Sequence, residues 1–181
     1  MTSYRLRPAT GNDLPALAAV NTTAWRETYA ALLPAGFFDN LETDPHYSLA
    51  HWQVLLRRWR ALLAEADDRR TGEIAGFVLF GASSGTLPGY DGQIEKLYLR
   101  RSAQGAGLGR RLLQAAARAL LDQEKRSLVI WVIQANEPAQ RFYRHLGGIR
   151  VGEPLAFEIA GRQFHEIAFG WPDLADLAAD R

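Results

Sequence analysis

Three glycines in alternation, Gly105, Gly107 and Gly109, stand between a strand-like stretch and a helix-like one, and they restrict the chain more than any other feature. Before them, Gln93–Arg100 reads as a strand. After them, Leu108–Gln123 reads as a helix with Leu112, Leu113, Ala116, Leu120 and Leu121 on one side. Glycine lets backbone N–H groups come close to a ligand, and a helix N-terminus carries about half a positive charge. The run therefore suits a pyrophosphate. Arg100, Arg101, Arg110 and Arg111 flank it with guanidinium groups that match phosphate oxygens. The plainer reading is a connection that only permits tight strand–helix packing.

The rest of the chain supplies the frame. Tyr4–Arg7 alternates as a short strand, and Asn12 or Asp13 can cap a helix with Pro15 near its first turn. That helix shows Leu14, Leu17, Ala18, Val20, Ala24, Trp25 and Tyr29 on one face, until Pro34 and Gly36 break the pattern. Leu49, Trp52, Leu55, Leu56, Trp59 and Leu63 predict a second helix over roughly Tyr47–Ala64, with both tryptophans in its core. Asp67–Gly72 reads as a charged turn, Ile74–Phe80 as a strand and Ser83–Gly92 as a hairpin-type loop.

Leu128–Ile133 is apolar and uncharged, as expected of a central strand covered on both faces. Glu137–Leu146 is a short helix ended by Gly147-Gly148. Ile149–Ile159 and Arg162–Phe169 form a hairpin about Ala160-Gly161, and the tail past Trp171-Pro172 adds a helical turn or frays. The strand–helix–strand unit over 93–133 should be parallel. The fold class is mixed α/β.

Length and composition close off other classes. A chain of 181 residues fits one domain and needs no disulfide or metal staple. It contains no cysteine, which excludes a disulfide scaffold, a thiolate metal site and a cysteine nucleophile. Basic and acidic residues number 21 and 20, so an anion site must be local, and no partnership with nucleic acid is expected. His46, His51, His145 and His165 lack metal-ligand spacing, so no metal is expected. The N-terminus lacks the apolar core of a signal peptide, and the charge-free run Ile74–Tyr90 is broken by glycines and Pro88. The expectation is a cytoplasmic protein without a membrane partner.

Three phosphate motifs compete for the glycine run. A P-loop would continue Gly-Lys-Ser/Thr, but Arg110-Arg111 follows Gly109. The dinucleotide fingerprint needs G-x-G-x-x-G directly after a strand and an acid closing the next strand, and both are missing. Gln104-x-x-Gly107-x-Gly109 instead resembles the Q/R-x-x-G-x-G/A signature of the GNAT (GCN5-related) N-acetyltransferases. Ile94–Leu99 looks like the strand that leads into that signature. Asn136-x-x-Ala139-x-x-Phe142-Tyr143-x-x-x-Gly147 resembles the family's next element. Trp25–Tyr29 with Leu32-Leu33-Pro34 looks like its substrate-side helices. Two departures stand out: Arg100–Ala103 lacks a Pro-Glu pair, and Gly148 replaces the aromatic or apolar residue that usually follows Leu-Gly.

The resemblance implies a mostly antiparallel central sheet with a splayed parallel strand pair flanked by helices. It implies one N-acetyltransferase domain: substrate-side elements over 1–66, an acetyl-CoA-binding core over 67–146, a hairpin over 147–170 and a tail over 171–181. Acetyl-CoA would be held by the backbone of Leu97, Tyr98 and Leu99, by Gln104, Gly105, Ala106, Gly107, Leu108, Gly109 and Arg110, and by Asn136. The implied reaction is direct attack by a small-molecule or protein amine, with Tyr143 as general acid and Glu95 as base. Trp25 and Tyr29 would wall the amine pocket, and Asp39, Glu42 and Asp44 are further acidic contributors. Homodimers are common in the family. The alternative is a non-catalytic acyl-CoA-binding or regulatory module on the same fold.

Overall fold

Two arginines on the first strand explain why a stretch that reads as helix is a strand. The computed structural model describes residues 3–34, 37–40, 48–67 and 72–179. In it β1 (Tyr4–Pro8) runs antiparallel to β2 (Arg60–Ala66), with Tyr4 opposite Ala66 and Pro8 opposite Leu62. The helix expected to reach Ala64 ends at Arg58, as α2 (Leu49–Arg58); its expected first residue, Tyr47, lies outside the described residues. Alanine, leucine and glutamate favour helix by a few tenths of a kcal/mol per residue, roughly. Pairing outweighs that preference here, because β2 buries Ala61 and Leu63 and places Glu65 between Arg5 and Arg7.

Arg7 ties this edge to the next helix. Its guanidinium gives Asp13 a two-pronged bond of 2.7 and 2.9 Å, and the Thr10 N–H and hydroxyl complete the carboxylate's shell. Asp13 thus stands at the N-cap position of α1 (Leu14–Tyr29) without capping it through its side chain. Arg7 holds the Asp13 carboxyl well below the usual carboxylate range, although burial pushes it the other way. The Glu65 carboxyl is likewise lowered, chiefly by its hydrogen bond from Arg7.

Seven strands line up in the order β1-β2-β3-β4-β5-β7-β6, where β3 is Ile74–Ala82, β4 Gly92–Leu99, β5 Leu128–Ile133, β6 Ile149–Ile159 and β7 Arg162–Trp171. The Ser83 N–H bonds the Asp91 carbonyl and the Arg100 N–H the Ala75 carbonyl, so β3 and β4 run antiparallel. β4 and β5 are parallel, from Gly92↔Leu128 to Ile94↔Ile130, and that ladder ends there although both strands continue. β5 pairs β7 along its whole length. The expected class, a mostly antiparallel mixed sheet with one parallel pair, is what forms. The remaining helices are α3 (Leu108–Leu121), α4 (Glu137–His145) and α5 (Leu174–Ala178). α3 stops two residues before the predicted Gln123, and α5 is the helical turn of the tail, capped by the Asp173 carboxylate.

The chain divides into two compact units, Met1–Leu79 with Lys96–Leu113, and Phe80–Glu95 with Gln114–Arg181. The first packs Leu17 and Val20 of α1 and Trp52 of α2 against Leu63, Ile74, Phe77 and Leu79. Trp52 meets Phe77 edge to face at 5.5 Å, so Trp52 and Trp59 are core as expected. The second fully buries Ala116, Ala117, Leu120, Leu128 and Phe169.

Asp91 starts the parallel pair. Its carboxylate accepts the N–H groups of Arg126 and Ser127 and the Ser127 hydroxyl. Burial alone would raise its pKa, but these donors hold it below the ordinary value. Gly92 then donates to the Ser127 carbonyl at 3.0 Å, so both strands leave from one clamp.

Candidate functional site

After β4 the chain makes a short turn at Arg101–Ala103, then the glycine run, then α3. Buried Ala103 and Leu108 anchor the run on either side, while Gln104 to Gly107 are exposed. Gly105 and Gly107 have φ of +78° and +74°, a left-handed conformation that side-chain-bearing residues resist. A Cβ at either would meet nothing within 4 Å, so the glycines serve backbone shape and exposure rather than tight packing. The Gly107 carbonyl takes the first helical bond, from Arg111, which puts Leu108 and Gly109 in the first turn of the helix, whose N–H groups have no carbonyl within the helix to bond. Gln104 braces the loop by donating to the Leu99 carbonyl at 3.3 Å.

The flanking arginines divide. Arg100 donates to the Ile74 carbonyl and faces Glu73 at 3.6 Å, and Arg111 donates to the Tyr4 carbonyl. Those two guanidinium groups are engaged with the protein. Arg101 is exposed, with its backbone N–H bonded to the Glu27 carboxylate, and Arg110 is half-buried in the first turn of α3.

In the same unit, Trp25 and Tyr29 of α1 come together with rings 4.9 Å apart, and Phe37 lies 6.4 Å from Trp25. The Trp25 indole N–H donates to the Tyr98 hydroxyl at 2.7 Å. Alternation along β4 puts Tyr98 on the face that meets α1 and Leu97 and Leu99 on the other. Tyr98, expected to act through its backbone alone, thus brings its side chain to this cluster as well. The signal that could have found it is the tyrosine between two leucines on a strand, which alternation sends to the opposite face. Tyr29 is buried, whereas Trp25, Phe37 and Tyr98 remain partly exposed. Asp39 is exposed; Glu42, Asp44 and His46 lie outside the described residues.

In the second unit, Asn136 is the N-cap of α4: its Oδ1 accepts the Ala139 N–H at 3.2 Å. Tyr143 is buried to 5% exposure among Phe142, Phe169 and Trp171, with centroids 5.3, 5.8 and 6.2 Å away. Glu95 is half-buried on β4 and accepts from the Gln93 side chain at 3.2 Å. Gly148 explains the departure noted after α4. The Trp171 ring lies where a Cβ of residue 148 would be, 2.8 Å from its nearest carbon, and the indole donates to the Leu146 carbonyl. An aromatic side chain from β7 thus fills the place left by the missing one at position 148. Among the described residues no helix is long and apolar enough to cross a membrane, and no three His, Asp or Glu side chains are grouped to hold a metal ion.

A family model described as the acetyltransferase (GNAT) family matches residues 23–147. The uncharacterized N-acetyltransferase YuaI of Bacillus subtilis strain 168 is 33% identical over 172 residues, 95% of each chain. The PaiA N-acetyltransferase of Thermoplasma acidophilum, solved in complex with coenzyme A, has a TM-score of 0.69 at 19% identity, over 92% of this chain and 98% of that one. The yncA protein of Salmonella typhimurium, solved with its cofactor acetyl-CoA, has a TM-score of 0.67 at 22% identity, over 95% and 94%. At those identities the two structures speak for the fold. The family model covers well over half of the chain and YuaI nearly all of it, so the chain belongs to the acetyltransferase (GNAT) family.

Proposed function

We propose that this acetyltransferase is a cytoplasmic, single-domain N-acetyltransferase that moves acetyl from acetyl-CoA to a primary amine, small or on a protein, by direct attack without an acyl-enzyme. The observation that carries this is the exposed pair of left-handed glycines, Gly105 and Gly107, opening onto the start of α3. Open backbone N–H groups with the helix's positive end fit a pyrophosphate, so the residues present fit the cofactor. Gly105, Ala106, Gly107, Leu108, Gly109 and Arg110 would take the pyrophosphate with Gln104 bracing the loop, and Leu97, Tyr98, Leu99 and Asn136 would take the pantetheine arm. Acetyl-CoA supplies an acetyl group already activated as a thioester.

The chain's own residues meet two proton demands. An amine of pKa about 10.4 costs about 4–5 kcal/mol to deprotonate at pH 7, and the Glu95 carboxylate would accept that proton. A departing thiolate gains from an acid, and the Tyr143 hydroxyl would donate to it; such help is worth about 10²–10⁴ in rate. Trp25 and Tyr29 would wall the amine.

The burial of Tyr143 among three rings favours a second reading, in which the tyrosine is structural and the protein is a non-catalytic acyl-CoA binder. Calorimetric titration with acetyl-CoA, with NAD and ATP as controls, tests the shared premise. Selective micromolar binding is expected, and preference for NAD or ATP would sink both readings. Tyr143→Phe then separates them. The enzyme loses roughly 10²–10⁴ in kcat while keeping its acetyl-CoA affinity, whereas the binder has no CoA release to lose.

A further inference from the structure

Outside the groups used so far, the second unit holds an open cavity of about 430 Å³ lined by Gln134, Glu137, Gln140, Arg141, Arg144, Arg150 and Ile167. A volume in this range is typical of small-molecule sites. Three guanidinium groups and one carboxylate face it, and the carboxylate is spent: Glu137 pairs with Arg141 at 3.3 Å, one turn apart on α4. Among the described residues no carboxylate pairs with Arg144 or Arg150.

The arrangement around Arg144 is built rather than incidental. Gln140 is 8% exposed, and both ends of its amide are used. Its nitrogen donates to the Gln134 carbonyl, and its oxygen accepts from Arg144 at 2.9 Å. The guanidinium is held over the Phe169 ring, 5.4 Å from the centroid. A buried amide relay and a ring face together fix one long side chain that would otherwise sample many rotamers. Arg150, opposite Phe169 on β6, shares that face of the sheet. Ile167 gives the cavity an apolar floor, being 2% exposed.

We propose that this cavity is a binding site for a small oxyanion ligand of about two negative charges, a phosphate monoester or a dicarboxylate, separate from the glycine run. Arg144 supplies the pre-oriented fork, Arg150 the second charge and Ile167 the contact for the ligand's carbon portion. The planar fork of arginine matches carboxylate and phosphate oxygens alike, so the two sources share one recognition chemistry.

The test titrates the full chain, in phosphate-free buffer at low salt, with inorganic phosphate and separately with succinate. Nuclear magnetic resonance of the arginine side chains and calorimetry provide the readouts. Saturating acetyl-CoA is included in a parallel arm so that phosphate at the glycine run is not counted. Saturable one-to-one binding that perturbs the Arg144 and Arg150 signals is expected, and the tighter of the two probes names the source. Arg150→Ala, on the exposed strand, should weaken it about tenfold, the loss of one charge-assisted bond. Gln140→Leu, which frees Arg144 without removing a charge, should weaken it less but measurably. Acetyl-CoA affinity should be unchanged in both. Equal anion affinity in the wild type and in Arg150→Ala, or no binding of either probe, overturns the proposal. If acetyl-CoA itself fails to bind while the arginine-dependent anion binding persists, the function proposed above falls and this site stands.

Discussion

An added methyl group at Gly105 or Gly107 would meet nothing within 4 Å, whereas at Gly92 it would lie 2.7 Å from the Ser127 carbonyl oxygen and at Gly148 2.8 Å from the Trp171 ring. The first pair sits in open space with a backbone that only glycine adopts readily. The second pair sits where two parts of the chain press together. Identical residues therefore do different work, and the difference separates the exposed run before α3 from the packed joint after α4. A substitution in the run should disturb a ligand more than the fold; one in the joint should disturb the fold.

The largest expected effect lies at the joint. Trp171→Ala removes a ring that fills the space over Gly148 and leaves the Leu146 carbonyl without its indole donor. Chemical denaturation should show a loss of about 3–5 kcal/mol. Arg7→Ala should follow, at about 3 kcal/mol, because it leaves the Asp13 carboxylate without its cation and Glu65 with Arg5 alone. It also provides a control on pH. Both carboxyls are held below their unfolded values, so their contribution is complete above about pH 5 and is lost progressively as pH falls below it. Denaturation midpoints between pH 7 and 3 should fall less steeply in Arg7→Ala than in the wild type. An equal slope would remove these two groups from the account.

Gly148→Ala should cost about 1–3 kcal/mol, since the Tyr143 carbonyl oxygen stands 2.9 Å from the new carbon and cannot swing aside as a side chain would. Gly107→Ala should cost the least stability, about 1–2 kcal/mol for the left-handed backbone, yet lower acetyl-CoA affinity at least about tenfold. If Gly107→Ala kept full affinity, the glycine run would be a connection and the contrast drawn here would vanish.

Much of this was legible in the sequence for physical reasons that can be named. Leu128–Ile133 emerged as a strand to the residue because a run this short, without charge and rich in β-branched residues, fits a strand covered on both faces. Ala160-Gly161 was readable as the tip between β6 and β7 because small residues mark tight turns, and both there have positive φ. β2 was not readable: Leu55, Trp59 and Leu63 keep helical spacing, and the force that makes 60–66 a strand comes from Arg5 and Arg7, more than fifty residues away. For the site, the glycine signature located the exposed turn, but nothing local showed that Arg100 and Arg111 turn to other carbonyls or that Tyr98 meets Trp25.

The outer strand β6 carries a further consequence. It is exposed along most of its length, with Ile149 and Leu155 open to solvent, and strands of that kind can recruit a second chain edge to edge. Its pairing with β7 slips between Val151 and Leu155, where Gly152, Glu153 and Pro154 interrupt the ladder. A left-handed glycine, a charge and a residue without an N–H make a poor template for another strand. Smoothing that short irregularity to Val-Thr-Val should make the edge a better template and raise the fraction of associated chains seen by light scattering.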